Sequence, residues 1–207
     1  MDERARRLVR HGYRRLARSR MRLACDSRLV TRLMMPFLEM SATDVLGVLQ
    51  ACAGAGIQGW IGGGWGVDAL IGRQSRRHGD LDLIIADDPW IVGTAHRVIC
   101  SLGLEYLMER RTATLVPRRM RFAGEDGRSI DLLPVDLEAP PFDHSDANAP
   151  PFAMGLIAGR PVPCLSERLQ RRLHAGYPHR PVDGRDLVRL NQHVSGAAPA
   201  PASGSAQ

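Results

Sequence analysis

The run Trp60-Ile61-Gly62-Gly63-Gly64-Trp65-Gly66-Val67-Asp68-Ala69-Leu70-Ile71-Gly72-Arg73-Gln74-Ser75-Arg76-Arg77-His78-Gly79-Asp80-Leu81-Asp82-Leu83 carries the most information in the chain. A short strand, Gln58 to Ile61, leads into three consecutive glycines. Trp65 to Ile71 then reads as a short helix ended by Gly72, and Asp80 to Ala86 as a strand. A strand that breaks on glycines and enters a helix lets backbone N–H groups approach a phosphate, with the positive end of the helix dipole facing it. Residues two apart on a strand share a face, so Asp80 and Asp82 point together while Leu81 and Leu83 point into the opposite layer. Two carboxylates side by side repel each other. A cation between them resolves this, and an oxygen-only ligand set favours Mg²⁺. Arg73, Arg76, Arg77 and His78 just precede the pair and are placed to neutralise a triphosphate. A third carboxylate, Asp131, alternates with Ile130 and Leu132 in a further strand. It joins the first two if that strand lies beside theirs.

Before this stretch, Ser41-Ala42-Thr43-Asp44 resembles a capping box opening a helix that stops near Gly54 or Gly56. After it, Pro89 suits the first turn of a helix ending near Gly103. Strand segments come next around 104–108, 113–123 and 128–135, the last two joined by a tight turn at Glu125-Asp126-Gly127. Residues 137–151 read as a loop, and a final helical region covers roughly 165–175 and 184–193.

All 28 basic residues are arginine. Residues 1–34 hold 11 Arg against Asp2, Glu3 and Asp26, a net +8, whereas the rest holds 17 Arg against 19 acids, a net −2. The basic charge therefore belongs to an N-terminal arm, and no nucleic-acid partner is expected for the body. Residues 1–39 read as a basic extension: an address or nucleic-acid-binding arm, or a dispensable segment, disordered or preceding a natural start at Met40. Residues 40–194 form the folded domain, and 195–207 an Ala/Pro/Gly/Ser-rich tail expected to be disordered. The cysteines at 25, 52, 100 and 164 have no zinc or redox spacing and read as reduced thiols. No apolar run approaches membrane-spanning length, and the arginine-rich start lacks a signal-peptide apolar region, so the expected compartment is the cytoplasm.

The run from Trp60 to Leu83, together with PRRMRFAGEDGRSIDLLPVDL and GRPVPCLSERLQRRLHAGYPHRPVDGRDL, resembles the polymerase-beta-type antibiotic nucleotidyltransferases. It is most similar to the lincosamide nucleotidyltransferases and related to the aminoglycoside 2''-adenylyltransferases, over roughly residues 42–190. The resemblance implies an α+β nucleotidyltransferase fold, a mixed sheet flanked by helices with a short helical C-terminal segment. It also implies Mg²⁺ and transfer of a nucleoside monophosphate, with ATP as donor, to a hydroxyl of a small molecule such as a lincosamide or aminoglycoside. By position, Asp80 and Asp82 match the metal-binding pair and Asp131 the third acid, which the resemblance makes a metal ligand, a general base or both. Gly63, Gly64 and Trp65 match the glycine motif, and Arg76 and His78 the basic run, as nucleotide-binding residues. His174, Gly176, Tyr177, Asp183 and Asp186 match a C-terminal motif of no evident role. Two departures stand out: Leu133 where histidine is frequent, and Gly62 where an acid is common. A homodimer that completes the site would suit so short a chain. Two other readings compete: a toxin–antitoxin-type enzyme acting on protein or tRNA, and a non-catalytic nucleotide-binding module.

Overall fold

The computed structural model describes Leu8 and residues 39–111, 115–144, 146, 149–175 and 181–196. The other residues of the N-terminal extension and the tail beyond 196 lie outside the described residues, as do Gly176 and Tyr177.

Seven strands form one mixed sheet: β1 (Trp60–Gly62), β2 (Leu81–Ala86), β3 (Leu104–Arg111), β4 (Arg118–Gly124), β5 (Ser129–Val135), β6 (Phe152–Ile157) and β7 (Arg160–Leu165). Their spatial order is β3-β4-β5-β2-β1-β7-β6. Five helices accompany them among the described residues: α1 (Ala42–Gly54), α2 (Gly63–Ile71), α3 (Pro89–Ser101), α4 (Glu167–Ala175) and α5 (Pro181–Gly196). The α+β expectation holds.

The helix starts obey the local chemistry. Ser41 caps α1, its hydroxyl accepting from the Asp44 N–H while the Asp44 carboxylate accepts from the Ser41 N–H. Asp88 caps α3 just before Pro89, its carboxylate accepting from the backbone of Trp90 and Ile91. Residue 40 is tied into the domain: the Met40 side chain is fully buried, and its N–H donates to the His78 carbonyl at 2.9 Å.

Strand alternation divides the core between two faces. Leu81, Leu83 and Ile85 of β2, Ile130 and Leu132 of β5, and Phe122 of β4 share one cluster with Val45, Val48 and Cys52 of α1 and Val92, Ala95 and Ile99 of α3. Ile84 of β2, Leu133 and Val135 of β5 and Leu165 of β7 turn the other way. They cluster with Phe142, Leu169 of α4 and the half-buried pair Trp60 and Phe152. The loop expected over 137–151 thus contributes Phe142 to this second core. Cys52 and Cys164 are buried free thiols, pushed up to about 11 by burial, and Cys100 is free and half-buried.

One part of the sheet departs from the sequence reading. Phe152–Ile157 and Arg160–Leu165 form an antiparallel hairpin, although Gly159-Arg160-Pro161-Val162-Pro163 suggests only a connection to the helices. Pro161 and Pro163 have no N–H to give a ladder. The hairpin accommodates them because β7 meets β1 in parallel through a single register pair, Ile61 with Cys164. Helix α2 packs closely on β6: a Cβ added at Gly155 would lie 2.5 Å from the Ala69 carbonyl oxygen. Gly155→Ala is therefore expected to destabilise the protein by about 1–3 kcal/mol through overpacking against backbone. The check is a lower urea midpoint at unchanged m-value.

Candidate active site

The sheet register places the acids. Asp82 of β2 is the Cα partner of Asp131 on the adjacent parallel strand β5, and the partner of Gly62 on β1. Asp131 is in turn the partner of Arg121 on β4. Gly62, Asp82, Asp131 and Arg121 thus form one row across four strands, on the face that also carries Ile84 and Leu133. Asp80 lies half-buried immediately before β2, two residues from Asp82. The sheet thus sets Asp82 beside Asp131, with Asp80 two residues before Asp82.

Asp131 is fully buried and is held by the Arg121 guanidinium through two hydrogen bonds, Nε to Oδ1 at 2.8 Å and Nη2 to Oδ2 at 2.7 Å. Such bidentate pairing is strong and fixes the carboxylate plane. Arg119, two residues earlier on the same strand, reaches between the acids: Nη2 lies 3.4 Å from Asp82 Oδ1 and Nη1 3.5 Å from Asp131 Oδ2. Sequence reasoning missed both arginines. The signal was the same alternation that placed Asp131: Arg119 and Arg121 are spaced to share a face of the neighbouring strand.

The glycines serve contact as much as flexibility. Gly63 adopts φ +56°, and a Cβ there would fall 1.9 Å from Asp82 Oδ2, so the first residue of α2 gives its side-chain space to the carboxylate. A Cβ on Gly64 would meet Arg76 Nη2 at 2.2 Å and His78 Nδ1 at 2.6 Å. No side chain caps α2 among the described residues, and its first turn carries no acid. Gln170 of α4 anchors the turn by donating from Nε2 to the Gly63 carbonyl at 2.8 Å.

Arg76 and His78 are both fastened from behind. Arg76 donates to the buried Asp186 of α5 from Nε at 3.1 Å and from Nη2 at 2.7 Å. Arg189 donates to the same carboxylate at 3.2 Å. This assigns a task to one member of the C-terminal motif: Asp186 positions Arg76 over Gly64. His78 is buried, with Nε2 2.5 Å from Asp68 Oδ2 and its ring against Trp65 at 4.4 Å between centroids. Asp68 also accepts from the Ser75 N–H at 2.9 Å and hydroxyl at 2.6 Å. These contacts make Asp68 a structural partner that pins the loop delivering Asp80. Trp65 is itself a core residue, 2% exposed, whose indole N–H finds no partner among the described residues.

As the side chains stand, no group of three or more His, Cys, Asp or Glu among the described residues forms a metal cluster. The donor set nevertheless suits a hard divalent cation. It is all carboxylate oxygen, two of its members are in register, and a guanidinium already stands between them as a cation.

A model of the family described as aminoglycoside-2''-adenylyltransferase matches residues 44–190. The chain belongs to that family. It is accordingly a nucleotidyltransferase. A lincosamide resistance protein from Staphylococcus haemolyticus is 28% identical over 142 residues, spanning 63% of this chain and 82% of that protein. A 2''-aminoglycoside nucleotidyltransferase from Klebsiella pneumoniae is 32% identical over 133 residues, 61% of this chain and 70% of that one. In fold, the chain resembles a lincosamide antibiotic adenylyltransferase solved with lincomycin bound, at TM-score 0.60 and 22% identity, covering 75% of this chain and 99% of that one. No helix among the described residues is long and apolar enough to cross a membrane.

The Asp68 cluster makes a pH prediction. Burial pushes its carboxyl up, but the hydrogen bonds from His78 and Ser75 outweigh this and hold it below the usual range. A depressed folded-state pKa means stability fully present above the unfolded value of about 3.9 and lost as pH falls through the lower folded value. Asp68→Asn should therefore be less stable than the parent at pH 7, with the gap closing as pH falls below about 4. Denaturant titrations across that range check it, and a gap independent of pH would contradict it.

Proposed function

We propose that this nucleotidyltransferase moves AMP from ATP, with Mg²⁺, onto a hydroxyl of a small-molecule antibiotic of the lincosamide or aminoglycoside class. The observation that carries the reading is the row Gly62–Asp82–Asp131–Arg121, which sets two carboxylates in register beside the uncapped start of a helix. The relatives support the acceptor class, being a lincosamide resistance protein and a 2''-aminoglycoside nucleotidyltransferase.

Asp80, Asp82 and Asp131 would hold the metal, which when bound polarises the phosphoryl group and stabilises charge on the departing pyrophosphate. The rest is work for the chain itself. The first-turn N–H groups of α2, at Gly63, Gly64 and Trp65, point their unpaired positive end at a phosphate. Arg76, held by Asp186, adds a fixed charge on the same side, and His78 with Asp68 keeps the connecting loop in shape. Trp65 contributes its backbone position rather than its buried ring. Arg121 holds the plane of the Asp131 carboxylate fixed through its two hydrogen bonds. The acceptor hydroxyl then attacks the α-phosphorus in line as the bond to pyrophosphate breaks, its proton passing to Asp131 or to water, and holding both partners in position supplies most of the advantage. A reaction that draws on ATP belongs in the cytoplasm.

The test is mass spectrometry after incubating the protein with Mg-ATP and a panel of lincosamides and aminoglycosides. An adduct heavier by one AMP is expected, absent with EDTA. Asp82→Asn should lower turnover by roughly a thousandfold or more while leaving thermal unfolding near that of the parent, as for loss of a group that stabilises transition-state charge. Full activity in Asp82→Asn would overturn the mechanism. ATP consumption on RNA or protein, with no drug adduct, would favour the toxin–antitoxin reading. Nucleotide binding without metal or pyrophosphate release would favour a non-catalytic module.

A further inference from the structure

Arg121 and Arg119 face the same acids but are held very differently. Arg121 is largely enclosed, 16% exposed, and grips Asp131 through two short bonds. Arg119 is 47% exposed and reaches Asp82 and Asp131 only at 3.4 and 3.5 Å, with the Arg121 charge opposing it. Its Cα partner on β3 is a further cation, Arg110, on the same face of the sheet. Like charges directly opposite on paired strands are destabilising. Arg119 leans from this arginine-bearing strip across onto the carboxylates.

Filling the site changes the balance of charge. A divalent cation bound to the same carboxylates repels a guanidinium lying between them. Phosphates beside that strip attract it, and a half-exposed arginine has the side-chain freedom to move toward them. Arg121, 16% exposed and bonded twice to Asp131, is held far more tightly.

We propose that Arg119 is a displaceable counter-charge: its guanidinium neutralises Asp82 and Asp131 before the metal arrives, yields to it, and then engages the phosphates of the bound nucleotide. The proposal rests on reading the site as a metal-dependent nucleotidyltransferase centre. It makes Arg119 a competitor of the metal and an ally of the nucleotide, so its loss moves the two affinities in opposite directions. A residue that merely supported the strand would weaken both.

The experiment uses the full chain and two equilibrium readouts that need no turnover. The first is Mn²⁺ binding without nucleotide, monitored by the electron paramagnetic resonance of free Mn²⁺. The second is calorimetric binding of a non-hydrolysable ATP analogue at saturating Mn²⁺. Arg119→Gln should bind Mn²⁺ more tightly, on the order of tenfold, and the analogue more weakly by a similar factor. Arg119→Lys, which keeps the charge, should stay closer to the parent in both. Adding Asp82→Asn should abolish the tightened Mn²⁺ binding, which locates it at these carboxylates. Any result in which the two affinities of Arg119→Gln fail to move in opposite directions overturns the proposal. If Mn²⁺ binding depends on Asp82 and Arg119→Gln leaves it unchanged, the role of Arg119 alone fails. If neither the parent nor Arg119→Gln binds Mn²⁺ through Asp82, the metal reading of the site fails and the proposal falls with it.

Discussion

Asp82 and Asp131 face one another on adjacent parallel strands, one of them without solvent exposure, and two like charges so placed must be compensated. Much of the surrounding structure answers that demand. Arg121 clamps one carboxylate, Arg119 spans both, and Gly63 gives up its side-chain space to let the other lie against the start of α2. The parallel pairing of β2 with β5, flanked by antiparallel β1 and β4, sets the row of residues. Buried charge of this kind adds little to stability over an apolar core of the same shape.

A second layer keeps the first in place. The loop between α2 and β2 carries Ser75, Arg76 and His78, and each is tied to something rigid: Ser75 and His78 to Asp68 on α2, Arg76 to Asp186 on α5. The C-terminal helix is thereby coupled to the face over Gly64 that an incoming phosphate would meet. Sites held this way keep their geometry when the ligand leaves, which is what transfer by positioning and electrostatics requires.

The features legible in the sequence were those with a local physical signature. The Ser41 capping box, Pro89 in the first turn of α3, the glycine break before α2 and the period-two spacing of Asp80 and Asp82 each depend on residues a few positions apart. Asp131 was found because an acid within an apolar strand is costly, although its register with Asp82 needed the folded sheet. The unread features are those that span the chain. Asp186 meets Arg76 across 110 positions, and nothing in either segment announces the pairing. The β6–β7 hairpin was hidden by Pro161 and Pro163, which argue against a strand unless one of its edges pairs sparingly, as β7 does with β1. His78, in a basic run, read as a phosphate contact, and only burial against Trp65 and Asp68 reveals its inward hold.

Everything proposed for the chemistry depends on the Asp82–Asp131 row being a metal centre that meets a nucleotide. A crystal grown with Mn²⁺ and a non-hydrolysable ATP analogue, with anomalous scattering used to locate the metal, puts that to the test in one experiment. The expected result is an anomalous peak bounded by Asp82 and Asp131, with the analogue's phosphates at the start of α2. A peak elsewhere, or phosphates bound with no metal at these carboxylates, would show the row to be something other than the centre of nucleotidyl transfer.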